Sequence, residues 1–181
     1  MFWRKRSRKA VLTSALTSTR TTLNRLSEMI RRVDARRRYL EERVVEHLSA
    51  GRKDLAERYA AEAAQMRRLL RELRYMEAAI ERVALRIETV LNGGEVLSVV
   101  SSAIGVVEEL KNSSVAAIPE VALELNNVEE SLREAIGETS YPDANISYHM
   151  ALDDEARRVL EEAKVVADDR VSAPRKKKRE G

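Results

Sequence analysis

The sequence predicts an all-α protein, with a long antiparallel hairpin of two helices of about 40 residues each, followed by three shorter helices. The composition is one reason. Of the 181 residues, 35% are charged and 4% aromatic, with six Gly and three Pro, and such a chain favours helices over sheets. Apolar residues also recur at alternating steps of three and four along two long segments. The break between these segments is short, which forces the two helices to run antiparallel.

The first long helix is predicted by a heptad seam in its N-terminal 44 residues. A stripe at this spacing lies on one face of a helix and needs a partner surface. The seam positions are Leu12, Leu16, Thr19, Leu23, Leu26, Ile30, Val33, Arg37, Leu40 and Val44.

The second long helix follows a break at residues 49–54. Gly51 suits the left-handed position after a helix end, and Asp54 with Glu57 predicts a capping box. Its seam positions are Leu55, Tyr59, Glu62, Met66, Leu69, Leu73, Met76, Ile80, Val83, Ile87 and Val90.

Two charged residues interrupt the apolar seams. Arg37 and Glu62 fall in adjacent layers of the antiparallel pair, where an ion pair would fix the register at a cost in stability. The alternative is that both side chains extend out of the seam into water. Beside the seam, the small side chains of Ala60, Ala61, Ala63 and Ala64 predict close approach by a third helix or by another subunit.

The second half begins at a predicted hinge, Gly93 and Gly94, because two adjacent glycines stop a helix and allow the chain to turn. A third helix is expected from Glu95 to Lys111, and a fourth from Pro119 to Gly137. The predicted segments are a basic N-terminus at 1–9, a hairpin at 10–92, acidic regulatory helices at 93–137, a linker at 138–151, a short helix at 152–167 and a basic disordered tail at 168–181.

The short fifth helix is predicted to have one apolar face with acidic edges, and such a helix fits a groove between partner helices. Packing of the same face against the hairpin's alanine flank is equally open. The apolar positions are Leu152, Ala156, Val159, Leu160 and Ala163.

The charge is strongly segregated along the chain. Residues 1–91 hold 22 Lys and Arg against 12 Asp and Glu, a net charge of +10, whereas residues 92–169 have a net charge of −12 and residues 170–181 a net charge of +5. We expect the basic and acidic halves to attract each other within one chain, which would keep the basic face covered until the hinge opens. In the alternative, the acidic helices bind a neighbouring subunit.

Composition also excludes several classes of function. The sequence has no Cys and two His, His47 and His149, which lack the neighbours of a metal site. No nucleotide-binding or hydrolase motif occurs, so we expect neither an enzyme nor a cofactor. The longest uncharged stretch, Val96 to Val107, is too short to span a bilayer, and we expect a cytoplasmic protein without a signal peptide.

The N-terminus is predicted to bind anionic membranes. Aromatic side chains favour the lipid headgroup region and cations are attracted to anionic lipid. The predicted membrane-binding residues are Phe2, Trp3, Arg4, Lys5, Arg6, Arg8 and Lys9.

Taken together, these features resemble the ESCRT-III (Snf7-type) family, and specifically the archaeal cell-division (Cdv) B-type proteins. The features are the basic apolar N-terminus, the basic hairpin, the hinge at Gly93 and Gly94, the acidic second half and the amphipathic helix from Leu152 to Ala163. The resemblance covers roughly residues 1–167. Heptads alone are not specific, but the order of charge blocks and helix lengths is more so.

The resemblance implies a subunit that polymerises with itself and its paralogs on membranes, at the inner face of the cell membrane, and narrows the division neck. It also implies remodelling by a Vps4-like AAA ATPase through its MIT domain. Two features depart from the family pattern. The proline-rich MIT-binding motif and the winged-helix extension are not found in this sequence, so we expect one of the shorter paralogs.

Three other functions stay open on the sequence alone. A phage-shock-type membrane-stress protein has a related helical architecture. Nucleic-acid binding is disfavoured because no aromatic side chains are interleaved with the arginine runs for base stacking. An inert coiled-coil scaffold would not need the aromatic N-terminus or the charge segregation.

Overall fold

The computed structural model describes residues 7–139 and 153–172, and these form helices with no strand. The helices are α1 (Arg8–Ser49), α2 (Lys53–Leu91), α3 (Val96–Leu110), α4 (Pro119–Thr139) and α5 (Asp154–Ser172), with a 3₁₀ turn at Ser114–Ala117. The predicted all-α class and the long hairpin are confirmed. At 1.5 Å per residue, α1 is roughly 60 Å long.

The turn between α1 and α2 forms as predicted around Gly51, whose φ is +71°. The amide of Arg52 donates to the carbonyl of His47 at 2.9 Å and closes the turn. The predicted capping box of Asp54 and Glu57 is wrong. The closed turn places Arg52 directly before α2, so Arg52 is the N-cap residue, and it makes no side-chain capping hydrogen bond. His47 is buried and stacks on Tyr59, with ring centroids 5.1 Å apart.

The seam ion pair between Arg37 and Glu62 does not form. Arg37 instead binds two carboxylates of its own helix, Asp34 at 2.6 Å and Glu41 at 2.7 Å, so its charge is satisfied without crossing the seam. The side chain of Glu62 points into solvent, with 53% of its surface exposed, and contacts Arg36 at 3.4 Å. Glu62 thus follows the alternative prediction, whereas Arg37 stays partly buried.

The boundaries of the shorter helices differ little from the prediction, except at two ends. α4 continues past Gly137 to Thr139, since a glycine near a helix end costs little. α5 ends at Ser172 rather than at residue 167, so residues 168–172 do not belong to a disordered tail. The added turn is held to the hairpin by Arg170.

The core lies between one half of the hairpin and the three shorter helices. α4 packs on α1, α5 packs on α2 and α3, and α3 packs on α2 and α4. Within the described residues, the core cluster takes hairpin side chains from Val11 to Val33 and from Leu69 to Leu91. The tip of the hairpin, residues 41–66, contributes no side chain to this cluster and forms a two-helix arm, which we call the distal arm.

The distal arm carries the alanine-rich flank. Ala63 is buried within the hairpin, while Ala60, Ala61 and Ala64 are exposed. In the described part of the chain no third helix covers this flank, because α5 binds the hairpin further along α2. Packing of α5 on the alanine flank, one of the two open readings of that helix, is therefore wrong, and contact with another subunit there stays a prediction.

Candidate functional site between the basic hairpin and the acidic helices

The candidate site is the surface along which the acidic helices fold back on the basic hairpin. α3 reverses direction after α2 and returns alongside it, so that Ser114 Oγ, beyond the end of α3, donates to Glu72 at 2.5 Å. The reversal occurs at Gly93, whose φ of +123° is a conformation that side-chain-bearing residues rarely adopt. Gly94 has no such requirement. Both predicted hinge residues thus lie in the turn, and opening of this turn stays a prediction.

The contact between α1 and α4 is built around Glu124. Its side chain is 3% exposed and accepts hydrogen bonds from Arg25 and, at 3.0 Å, from Thr22 on α1. The hydrogen bond to Glu124 raises the pKa of the Arg25 guanidinium above its ordinary value. A second ion pair joins Arg32 of α1 to Glu120, one turn before Glu124 on α4, with nitrogen and oxygen 3.1 Å apart. This part of the acidic half is therefore held by the hairpin's own arginines.

The contact between α5 and α2 has an apolar centre. Of the predicted face, Ala156, Val159, Leu160 and Ala163 are buried, with Leu160 6% exposed. Leu152 lies outside the described residues. At the crossing with α3, Gly105 sits where an added Cβ would lie 3.7 Å from the Cβ of Ala156, so the two helices approach closely. The face predicted for a partner groove is therefore covered by the chain itself.

Ion pairs flank this apolar centre along α2. Arg86 contacts Glu155 at 2.5 Å and Arg82 contacts Glu162 at 3.2 Å. Together with the two pairs on α4, four hairpin arginines face four glutamates of the second half. The attraction expected from the charge blocks is therefore realised within one chain.

At the far end of α5 the charges are reversed, with the arginine on α5 and the glutamates on α2. Arg170 contacts Glu81 at 2.7 Å and Glu77 at 3.3 Å. The hydrogen bond to Glu81 raises the pKa of Arg170. Glu77 is 4% exposed and also accepts from Ser27 at 2.6 Å and from Arg74 at 2.9 Å. One buried carboxylate thus joins α1, α2 and α5.

Glu77, Glu124 and Arg170 are not among the site residues predicted from the sequence. A signal was present for the two glutamates, because each lies on the apolar stripe of its helix. Glu124 follows Val121 by three positions, and Glu77 follows Leu73 by four. A charged residue on such a stripe requires a buried partner. Nothing in the sequence marked Arg170 beyond its place after the acidic block.

The predicted membrane-binding segment lies mostly outside the described residues, which begin at Ser7. Ser7 caps α1 by accepting from the amide of Ala10, at 3.2 Å. Arg8 and Lys9 are exposed in the first turn, on the side of the bundle that also holds the Gly93 turn. The role of Phe2 to Arg6 and of these two cations stays a prediction.

None of the helices in ranges 7–139 and 153–172 is both long and apolar enough to cross a bilayer. Within the same ranges, no group of three His, Asp or Glu side chains is placed to hold a metal ion.

Comparison with known proteins identifies relatives among cell division proteins. The chain is 35% identical over 152 residues to Cell division protein B1 of Sulfolobus acidocaldarius. The aligned segment covers 84% of this chain and 71% of that protein. It is 30% identical over 170 residues to Cell division protein B of the same organism, which covers 92% of this chain and 65% of that protein. No protein-family profile matches the sequence, and no solved structure does.

These relatives identify the chain as an archaeal ESCRT-III-like protein, and the long helical hairpin with its acidic second half agrees with that class. Within that class, the chain belongs to the archaeal cell division protein B (Cdv B-type) family. Its match spans just under two thirds of the length of the second relative.

Proposed function

We propose that this chain is a cell-division subunit of archaea that polymerises on anionic membrane at the division site and constricts the membrane neck. Family membership supports the cell-division role. The observation that carries the finer proposal is the set of four arginine–glutamate pairs between hairpin and second half. In the folded-back form each of these arginines faces a glutamate, which weakens its attraction to anionic lipid.

Assembly then requires α5 to leave the hairpin. Undocking frees Arg82 and Arg86 and uncovers the apolar face of α5. The freed arginines increase the attraction to an anionic surface, because each nearby cation adds on the order of 1 kcal/mol. The uncovered helix is also available to the MIT domain of a Vps4-like ATPase, so the enzyme engages assembled rather than closed subunits. Sister paralogs join the same polymer, and the protein is peripheral on the inner face of the membrane.

The test is to open the chain without removing hairpin charge. Replacement of Glu155 and Glu162 by Arg sets like charges against Arg82 and Arg86 and should release α5. Electron microscopy with anionic vesicles should then show filaments that coat and deform vesicles at lower protein concentration than for wild type.

The matched control carries the same change in net charge on exposed positions of α5. Glu161→Arg with Asp168→Arg touches no pair to the hairpin in the described structure and should behave as wild type, apart from stronger salt-sensitive adsorption. Adding Arg82→Glu and Arg86→Glu to the opened variant restores opposite charges and should close it again. Absence of filaments in all variants, or equal assembly by the opened variant and its control, contradicts the proposal.

A further inference from the structure

A cleft of unusual charge lies where the end of α5 meets the middle of the hairpin. It has a volume of about 580 Å³ and is lined by side chains of α1, α2 and α5. Two carboxylates, Asp34 and Glu41, share its walls. The six arginines that line it are Arg37, Arg38, Arg67, Arg71, Arg74 and Arg170.

The carboxylates do not neutralise this set. Asp34 and Glu41 are shared among the arginines of α1 and Arg67 of α2. Although burial raises the pKa of Asp34, hydrogen bonds from the neighbouring guanidinium groups hold it below its ordinary value, so the group stays ionised. Even when Glu77 and the nearby Glu81 are counted, six cations face four anions.

Arg71 is the one cleft arginine without a partner among the described residues, and it is exposed to solvent, so it is accessible to an added anion. It lines the cleft and has no ion pair or hydrogen bond to any part of the chain that the structure describes. A guanidinium group offers a planar fork of donors, which matches the oxygens of a phosphate group better than a single lysine would. Several such forks around one hollow favour a ligand with several charged oxygens.

We propose that this cleft binds a multivalent phosphate anion and that the bound anion stabilises the folded-back form. Arg170 and Val171 belong to α5 and the other arginines belong to the hairpin, so the complete site exists only while α5 is docked. A ligand that binds only the closed form shifts the equilibrium towards it. The anion contact itself does not depend on membrane polymerisation.

The experiment titrates the full-length chain with tripolyphosphate by isothermal calorimetry, without lipid. We expect saturable binding at one site, at least ten-fold weaker in Arg71→Glu. The matched control is Arg58→Glu, which removes an exposed arginine of α2 outside the cleft and should change affinity by less than about two-fold. No saturable binding, or equal weakening by both variants, overturns the proposal. It is also overturned if replacement of the basic residues 175–179 by Gln abolishes binding that Arg71→Glu leaves intact.

Two further measurements assign the source of the phosphate and its effect. Binding of the protein to vesicles that contain phosphatidylinositol phosphate is measured with and without tripolyphosphate. If tripolyphosphate displaces the protein from the vesicles and this depends on Arg71, the source is a lipid headgroup. If tripolyphosphate binds in the calorimeter but does not displace the protein, the source is a soluble phosphate. Amide hydrogen exchange in α5 should slow when tripolyphosphate is added to wild type but not to Arg71→Glu. Unchanged exchange in wild type at saturating anion overturns the link to the folded-back form.

Discussion

Arg170, near the C-terminal end of α5, contacts Glu81 of α2 at 2.7 Å across 89 positions of sequence. The same guanidinium group reaches Glu77, which is buried. The last turn of α5 is therefore bound to the hairpin by charge, whereas its middle is bound by apolar packing. Both contacts must break before the helix can leave.

The buried carboxylate of Glu77 is predicted to be a large contributor to stability. Glu77→Ala leaves Ser27, Arg74 and Arg170 without their shared acceptor, and we expect a loss of about 1–3 kcal/mol in the free energy of unfolding. Urea denaturation followed by circular dichroism measures it. Glu72→Ala, which removes an acceptor on the exposed surface, should cost less than about 0.5 kcal/mol. Equal losses would show that Glu77 is not a junction.

The two hinge glycines are predicted to differ. Gly93→Ala forces a side chain into a φ of +123° and should destabilise the folded-back form by about 1–3 kcal/mol. Gly94→Ala is the control, since the nearest atom to an added Cβ is 3.8 Å away and its φ is not in the left-handed region. Small-angle scattering should show an increased radius of gyration for Gly93→Ala alone. The same radius for both variants would mean that the turn tolerates a side chain at either position.

Leu160 is predicted to hold α5 in place. Leu160→Asp puts a charge into the buried apolar centre of this contact, and we expect α5 to undock. Amide exchange in residues 154–172 reports this directly. Val165→Asp is a matched control on the opposite side of the helix, where the side chain is 62% exposed, and should leave exchange unchanged.

The same helix is predicted to be a ligand for the ATPase. A peptide of residues 150–172 should bind an isolated MIT domain with a dissociation constant in the micromolar range, about 8 kcal/mol of binding free energy at 1 μM. Wild-type full-length protein in its closed form should bind more weakly than the peptide, because its apolar face is covered. No binding at millimolar peptide would leave α5 a packing helix only.

The free energy of unfolding is predicted to fall in acid, in part because Glu129 becomes protonated. Burial raises the pKa of Glu129, but hydrogen bonds from Lys111 and Arg133 outweigh burial and hold the pKa below its ordinary value of 4.5. The unfolded chain therefore binds more protons than the folded chain as the pH drops below about 4.5, so this contribution is complete above that pH and lost below it. Urea denaturation at pH 7, 4 and 3 should show a smaller loss for Glu129→Gln than for wild type. An identical pH profile for both would remove Glu129 from the explanation.

The aromatic pair before α1 is predicted to anchor the protein to lipid. Replacing Phe2 and Trp3 by Ser should weaken co-sedimentation with anionic vesicles, and high salt should weaken it further, since cations supply the remaining attraction. Tyr39→Ser with Leu48→Ser removes two exposed apolar side chains from the hairpin and serves as the control. Equal binding by the anchor variant and wild type would refute the anchor.

The hairpin could be predicted from the sequence because its signals are local. The heptad seam, Gly51 and the Gly93 turn each depend on neighbours a few residues away. The placement of α5 could not be predicted, because periodicity shows that Leu160 and its neighbours form a face but not which surface covers that face. The partners of the buried acceptors Glu77 and Glu124 could not be predicted either, because they include Arg170, 93 positions from Glu77, and Arg25, 99 positions from Glu124.

The distal arm has a consequence for how relatives of this protein can differ. Within the described residues, no side chain of the distal arm belongs to the core that holds α3, α4 and α5, and its seam repeats every seven residues. Seven residues added to both helices near the tip would move it outward by about 10 Å and leave every pair at the closed end in register. The length of the distal arm can therefore change in steps of seven residues without changing the contacts that hold α4 and α5 on the hairpin.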